Sequence, residues 1–366
     1  MKIAQTTMTL LLLQEAMAGK AGKVRSKESK GKKGKGKSGK GTTAAPTRAS
    51  TDGPTATAAS TRAPTDGPTA APSRALCTSA NSFNNTSLQS AVHDYFGQGC
   101  LAIKTCAIIS KYGDIGGWKT CEVTDMARLF DKDVNPQAVN FNESLNNWDV
   151  SKVTTMLAMF YGAAAYNQPL KDWDVSKVTD MGSMFHGAAA YNQPMNNWDV
   201  SKVTKLNAMF YGAAAYNQPM NNWDVSKVTA MVSMFNGAAA YNQPLKDWDV
   251  SKVTDMFDMF SGAAAFNQPL KDWDVSKVIE MEFMFNGAKA YNQDLCAWGN
   301  VASFPYNEAY AMFAGSGCTY KADPTQATKG PFCADDCTAI FVWTYGNLGG
   351  EQLGWGILCL HGGIWI

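Results

Sequence analysis

Tryptophan returns every 25 residues, at Trp148, Trp173, Trp198, Trp223, Trp248, Trp273 and Trp298. A period of that length constrains the fold more than any other feature, because one such unit cannot bury its own apolar side chains and must stack on copies of itself. The rest of the unit repeats in step. Val150 and Val153 lie two and five residues after the first Trp, Met156 at eight, Met159 at eleven and Phe160 at twelve, followed by Tyr166 and Leu170. Trp118 extends the series backward, since Phe130 follows it by twelve residues, and an insertion around residues 131–135 lengthens that coil to 30. This gives six regular coils with an irregular one at each end.

Local spacing suggests how each coil is built. Leu170-x-x-Trp173-x-Val175 has the apolar alternation of a short strand, whose copies would form a parallel ladder. Met181-x-x-Met184-Phe185 has helical spacing, with Thr179 placed to cap its start and Gly187 to accept a left-handed end. Asn167, Asn192, Asn217, Asn242, Asn267 and Asn292 recur in the return, where a buried amide can satisfy the backbone of the adjacent coil. The expected fold class is an α/β repeat solenoid of leucine-rich-repeat type, with a short parallel β-ladder, short helical turns and disulfide-stapled caps.

The cysteines frame this array. Cys77, Cys100, Cys106 and Cys121 precede the regular coils, Cys296, Cys318, Cys333 and Cys337 follow them, and residues 122–295 contain none. Two even sets can pair as disulfides in a secreted protein, with connectivity left open; Cys359 is left over. Zinc is the rival reading, weakened because no Cys-x-x-Cys pair exists and His93, His186 and His361 are scattered.

Ahead of the coils lie three segments. Residues 1–18 read as a signal peptide: Lys2, an apolar run around Leu10 to Leu13, and Ala16-Met17-Ala18 at the cleavage point. Residues 19–41 form a Lys/Gly-rich segment that cannot pack; across 20–41, nine Lys and Arg25 against Glu28 give +9. Lys30, Lys32, Lys33, Lys35, Lys37 and Lys40 are its candidate contacts to a polyanion. Residues 42–75 are a Thr/Ala/Pro/Ser-rich stalk. The formal charge of the whole chain is +1; removing +9 for residues 20–41, 0 for 1–19 and +1 for 42–75 leaves −9 for residues 76–366, which argues against a nucleic-acid partner for the body. Residues 76–117 make an N-terminal cysteine cap, 118–318 the repeats, 319–338 a closing segment, and 339–366 an apolar tail too interrupted for a transmembrane span, read either as a lipid-anchor signal or as an unstructured end. Asn84, Asn85 and Asn142 stand in N-glycosylation sequons.

The pattern Phe/Tyr-Asn-Gln-Pro-Leu-x-x-Trp-Asp-Val-Ser-x-Val-Thr-x-Met-x-x-Met-Phe resembles the BspA-like leucine-rich-repeat surface proteins, in their 25-residue form catalogued as a domain of unknown function. The resemblance covers about residues 118–318, and Cys296-Ala297-Trp298 with Gly330-Pro331-Phe332-Cys333 is similar to the closing segment of algal members. It implies an extracellular or surface protein, in some members an adhesin that binds matrix proteins or other cells, and it implies no catalytic residue. Leu206, Ile279 and the insertion after Phe130 depart from the family pattern.

No nucleophile elbow, phosphate-binding loop or His-Glu-x-x-His pair occurs, so binding rather than catalysis is expected, with an extracellular protein or glycan as ligand. The candidate binding residues are two rows flanking the tryptophans: Asp149, Asp174, Asp199, Asp224, Asp249 and Asp274, and Lys152, Lys177, Lys202, Lys227, Lys252 and Lys277. The plainer reading has the Asp row balanced by water, the Lys row and local Asp–Ser bonding. A row of bound Ca²⁺ is the sharper alternative, limited by one carboxylate per coil. No other cofactor is expected.

Overall fold

The computed structural model describes residues 77–78, 81–335 and 337. The signal peptide, the Lys-rich segment, the stalk, the apolar tail and Cys359 lie outside the described residues. Successive coils lie in parallel register: Asp125 pairs with Thr155 across 30 residues, then Thr155, Asp180, Lys205, Ala230, Asp255 and Glu280 pair in series at intervals of 25.

Among the described residues this pairing consists of isolated bridges rather than strands, and it does not lie where the apolar alternation predicts. Leu170-x-x-Trp173-x-Val175 is curled by turns in which Trp173 N donates to Leu170 O and Val178 N to Val175 O. The Trp173 indole Nε1 donates to Leu145 O of the preceding coil at 3.0 Å, and every later repeat Trp makes the same bond. Leu145 O also accepts from Trp148 N, so both of its lone pairs are used and none is left for a strand ladder.

The expected helical turn at Met181–Phe185 is also a different structure. The amides of Met181, Ser183, Phe185 and Gly187 donate forward to the carbonyls of Lys205, Asn207, Met209 and Tyr211, while those of Met184, His186 and Ala188 bond three residues back. A helix needs all its N–H groups aligned along one axis, and this pass sends alternate ones to its neighbour. The alternation requires a left-handed residue in each coil, filled by Ala158, Ser183, Ala208, Ser233, Asp258 and Phe283 at φ of 52–61°. Such backbone is unfavourable by roughly 1 kcal/mol per residue for L-amino acids, so the coil-to-coil bonds hold it there. Thr179 caps no helix; its N–H and Oγ1 both donate to Thr154 O, as one rung of a threonine row. Gly187 does adopt the left-handed conformation, at φ 68°, and a Cβ there would sit 3.4 Å from Gly162 Cα.

The core is one continuous column from Phe83 to Cys333. Along it the Phe rings stack from Phe130 to Phe313 with centroids 5.3–5.9 Å apart. A second ring column runs from Phe141 through Tyr166 to Tyr291, and a third through Trp173, Trp198, Trp223 and Trp248 at 6.4–6.5 Å. Leu206 lies buried in the Met column, so the swap costs no packing partner. Each Asn of the return accepts the backbone N–H of the Asn 25 residues later, from Asn167 N onto Asn142 Oδ1 through Asn292 N onto Asn267 Oδ1, at 2.9–3.0 Å.

Both ends are closed. Helix α1 (Asn85–Gly97) begins at Asn84, whose side chain accepts from Ser87 N in a capping box. Its buried face, Leu88, Ala91, Val92, Tyr95 and Phe96, sets Phe96 edge-on against Phe130 and Phe141 and Tyr95 against Trp118, covering the first coil. The helices α2 (Cys100–Ile103) and α3 (Ala107–Tyr112) follow, joined by Cys100–Cys106, while Cys77–Cys121 ties the start of the cap to the first coil. At the far end Cys296–Cys337 and Cys318–Cys333 hold Phe332 edge-on to Phe304 over the last coil. The two cysteine sets therefore pair within themselves. The extra residues of the long first coil are held by Asp131, which is buried and bound to Arg128 Nε at 2.7 Å, and by Asn135, whose Nδ2 donates to Leu129 O.

Candidate binding face

The Asp and Lys rows are brought side by side and are chemically uniform. In each coil the Asp Oδ1 accepts from the backbone N–H of the Ser two residues on, at 3.0–3.1 Å. Hydrogen bonds from that Ser hold Asp199, Asp224, Asp249 and Asp274 below the usual carboxylate range, with the Lys row adding a smaller pull. Asp199 feels both Lys202 of its own coil and Lys227 of the next. Lys152 pairs with Glu122 at 2.9 Å. The Asp–Ser bond recurs in every coil, and the two rows present the same charges throughout. Among the described residues no group of three or more His, Cys, Asp or Glu is gathered closely enough to hold a metal ion.

The sequons differ in what their amides do. Asn84 and Asn142 use Oδ1 as acceptor, one as the α1 cap and the other as first rung of the Asn row. Asn85 also engages its nitrogen: Oδ1 accepts from Thr124 N and Asp125 N, and Nδ2 donates to Thr124 Oγ1 at 3.0 Å. A glycan on Asn85 would displace that last bond.

A different surface distinguishes one coil from another. On the bridged pass, the outward positions change in every coil. The bridge position itself runs Thr155, Asp180, Lys205, Ala230, Asp255, Glu280; two residues on stand Leu157, Gly182, Asn207, Val232, Phe257, Glu282; six on stand Tyr161, His186, Tyr211, Asn236, Ser261, Asn286. Between them the inward Met, Met and Phe hardly vary. Sequence reasoning missed this face, although its signal lay in the positions that fail to repeat.

The face has two chemically distinct halves. In the first, His186 is stacked between Tyr161 and Tyr211 at 4.4 Å on each side, and Lys132 Nζ lies 5.4 Å from the Tyr161 ring centroid. Burial, with help from Lys132, pushes the His186 imidazole down to about 4, so it is neutral above that pH. Lys205 pairs with Asp180 at 3.0 Å in the same half. In the second half, Phe283 meets Phe257 and Tyr310 edge-to-face at 5.8 and 5.7 Å. Around them stand Asp255, Glu280, Glu282 and Glu308. Glu280 is raised above its usual range by burial first and then by Asp255, Glu308 and Glu282.

The sequence model of a family described as "Mycoplasma protein of unknown function, DUF285" matches residues 102–222 and again residues 215–322, together more than half of the chain. This chain belongs to the DUF285 family. The two DUF285 matches cover the bridged pass in every coil, so both halves of the face are family structure rather than an appended element. Curated proteins and solved structures give no match to the chain. Four disulfides fit an oxidising, extracytoplasmic setting, and among the described residues no helix is long and apolar enough to cross a membrane.

Proposed function

We propose that this DUF285 protein is a secreted or cell-surface leucine-rich-repeat-like solenoid that binds an extracellular protein or glycan through the bridged pass, and that it binds rather than catalyses. One observation carries the reading. The coils keep Trp-Asp-Val-Ser-Lys-Val unchanged through all six regular units, yet differ at the outward positions of one pass. Stacking alone gives no reason for that difference, because the inward residues and the backbone coil-to-coil bonds are nearly the same throughout. Diversified side chains on a rigid repeat are what recognition of an irregular partner needs. The Asp and Lys rows move from binding residues to supporting surface under this reading.

The test is an array of glycans and matrix proteins probed with the full-length protein at two salt concentrations, with and without chelator. A hit that tolerates salt and is lost on Tyr211→Ala or Tyr310→Ala supports the face. A hit that persists in both variants and vanishes with salt favours the second reading, a structural matrix or wall-associated protein held to polyanions by its Lys-rich segment. The +9 charge of residues 20–41 is what favours that alternative. Loss in chelator would point instead to Ca²⁺-dependent adhesion through the Asp row.

A further inference from the structure

The second half of the bridged pass combines two features that occur together nowhere else on it. The first is exposed apolar surface: Tyr310 and Ile279 are each 62% exposed, and Phe257 and Phe283 are half-buried beside them. Ile279 stands where the five preceding coils carry threonine, so an exposed aliphatic side chain replaces a hydroxyl here. The second is unbalanced negative charge. Among the described residues no salt bridge reaches Asp255, Glu280, Glu282 or Glu308, whereas in the first half Asp180 is paired with Lys205. Burial raises Glu280 first, and the further upward push from Asp255, Glu308 and Glu282 is in line with the same repulsion.

Resting on the reading of this pass as the binding face, we propose that its Phe257–Tyr310 half binds an Arg/Lys-rich polypeptide segment of its partner. The geometry selects a polypeptide over an ion. The carboxylates follow the pass coil by coil and do not gather about one point. A chain carrying several cations can meet them in turn, which a single Ca²⁺ cannot. The aromatic trio supplies the other half of the recognition: the Tyr310 ring, exposed at the last coil, offers its face to a guanidinium, and edge-to-face packing on Phe283 fixes its orientation. Ile279 adds an apolar contact for the aliphatic stem of Arg or Lys.

The experiment uses the full-length protein and a fluorescein-labelled synthetic peptide of alternating Arg and Gly, followed by anisotropy. Saturable binding is expected, weakened about ten-fold by Glu280→Gln combined with Glu282→Gln. Tyr310→Ala should weaken it about five-fold while Tyr310→Phe retains it, since the ring and not the hydroxyl makes the contact. Asn197→Ala, exposed beside the repeat tryptophans and away from this pass, should leave it unchanged. All these positions are exposed or half-buried, and unchanged melting curves check that the variants are folded. Equal peptide binding by the double Gln variant and the parent chain overturns the inference. So does equal loss on Asn197→Ala, or Ca²⁺ uptake in equilibrium dialysis that the double variant abolishes while the peptide still binds. An array hit lost on Tyr211→Ala together with no peptide binding removes this inference and leaves the face reading standing. Glu280-dependent peptide binding with an array hit indifferent to both Tyr variants does the reverse.

Discussion

The pass that carries Trp173, Asp174 and Lys177 and the pass that carries Asp180, Gly182 and His186 belong to the same coil and follow opposite rules. On the first, three side-chain bonds recur every 25 residues: indole to carbonyl, Asp to Ser, and Thr to Thr. On the second, the backbone makes the coil-to-coil bonds that recur in every coil, while the side-chain bonds, such as Lys205 to Asp180 and Val232 N to Asn207 Oδ1, differ from coil to coil. Where side chains hold the stack they must be identical. Where backbone holds it, chemistry can vary without loss of register.

The largest test of that contrast compares one substitution on each pass. Trp223→Ala removes a buried indole, its stacking on Trp198 and Trp248, and its bond to Met195 O. About 3–5 kcal/mol of destabilisation is expected in denaturant unfolding. Asn207→Ala on the variable pass removes one side-chain bond to the next coil, from Val232 N to Asn207 Oδ1 at 3.2 Å, and should still cost only about 1 kcal/mol, since the backbone bonds survive. A comparable loss in both variants would break the distinction.

How far the sequence reveals this division depends on which residues one follows. Trp148 to Trp298 make the coil period and register legible, and the grouping of the cysteines at either end anticipates two closed caps. The pairing Cys77–Cys121 with Cys100–Cys106 is not legible, because it depends on how α1 to α3 fold back over the first coil. The apolar spacing at Leu170, Trp173 and Val175 suggests a strand, but turns three residues back and an indole bond impose the same spacing. Helix α1 was within reach: Leu88, Ala91, Val92, Tyr95 and Phe96 follow a helical period after the Asn84 cap. The proposed binding face is less legible because a periodic pattern draws attention to what repeats, whereas Tyr161, His186 and Tyr211 stand at positions that do not.

A smaller effect sharpens the comparison within the core. Tyr166, Tyr191, Tyr216, Tyr241 and Tyr291 bury hydroxyls that have no hydrogen-bond partner among the described residues, and burial drives their ionisation far up. Phe266 stands in the same column without a hydroxyl and stacks on Tyr241 and Tyr291 at 6.1 and 5.8 Å. The column therefore uses the ring, and the buried hydroxyl is a net cost. Tyr216→Phe should raise unfolding stability by about 1 kcal/mol, the desolvation of one unpaired polar group. A lower melting temperature would mean that the hydroxyls are bridged in solution.

The smallest expected effect separates the passes by sign. Asp199, Asp224, Asp249 and Asp274 are held below their ordinary 3.8, so the folded state favours their charged form. Their contribution is fully present above 3.8 and is lost as pH falls through the depressed values. Glu280 is raised above 4.5, and Asp255 and Asp258 above 3.8, chiefly by burial. Their folded state binds protons more readily, so acidification through the raised values adds stability before the Asp row begins to remove it. Melting temperatures followed from pH 6 to pH 3 in low salt should rise slightly and then fall. Glu280→Gln should reduce the rise and leave the share of Asp255 and Asp258, and Asp199→Asn should soften the fall. The exposed Asp row makes the fall the more salt-sensitive limb, while the half-buried acids of the variable pass keep their rise in salt. If Asp199→Asn steepened the fall instead, the serine bonds would not be what holds that row charged.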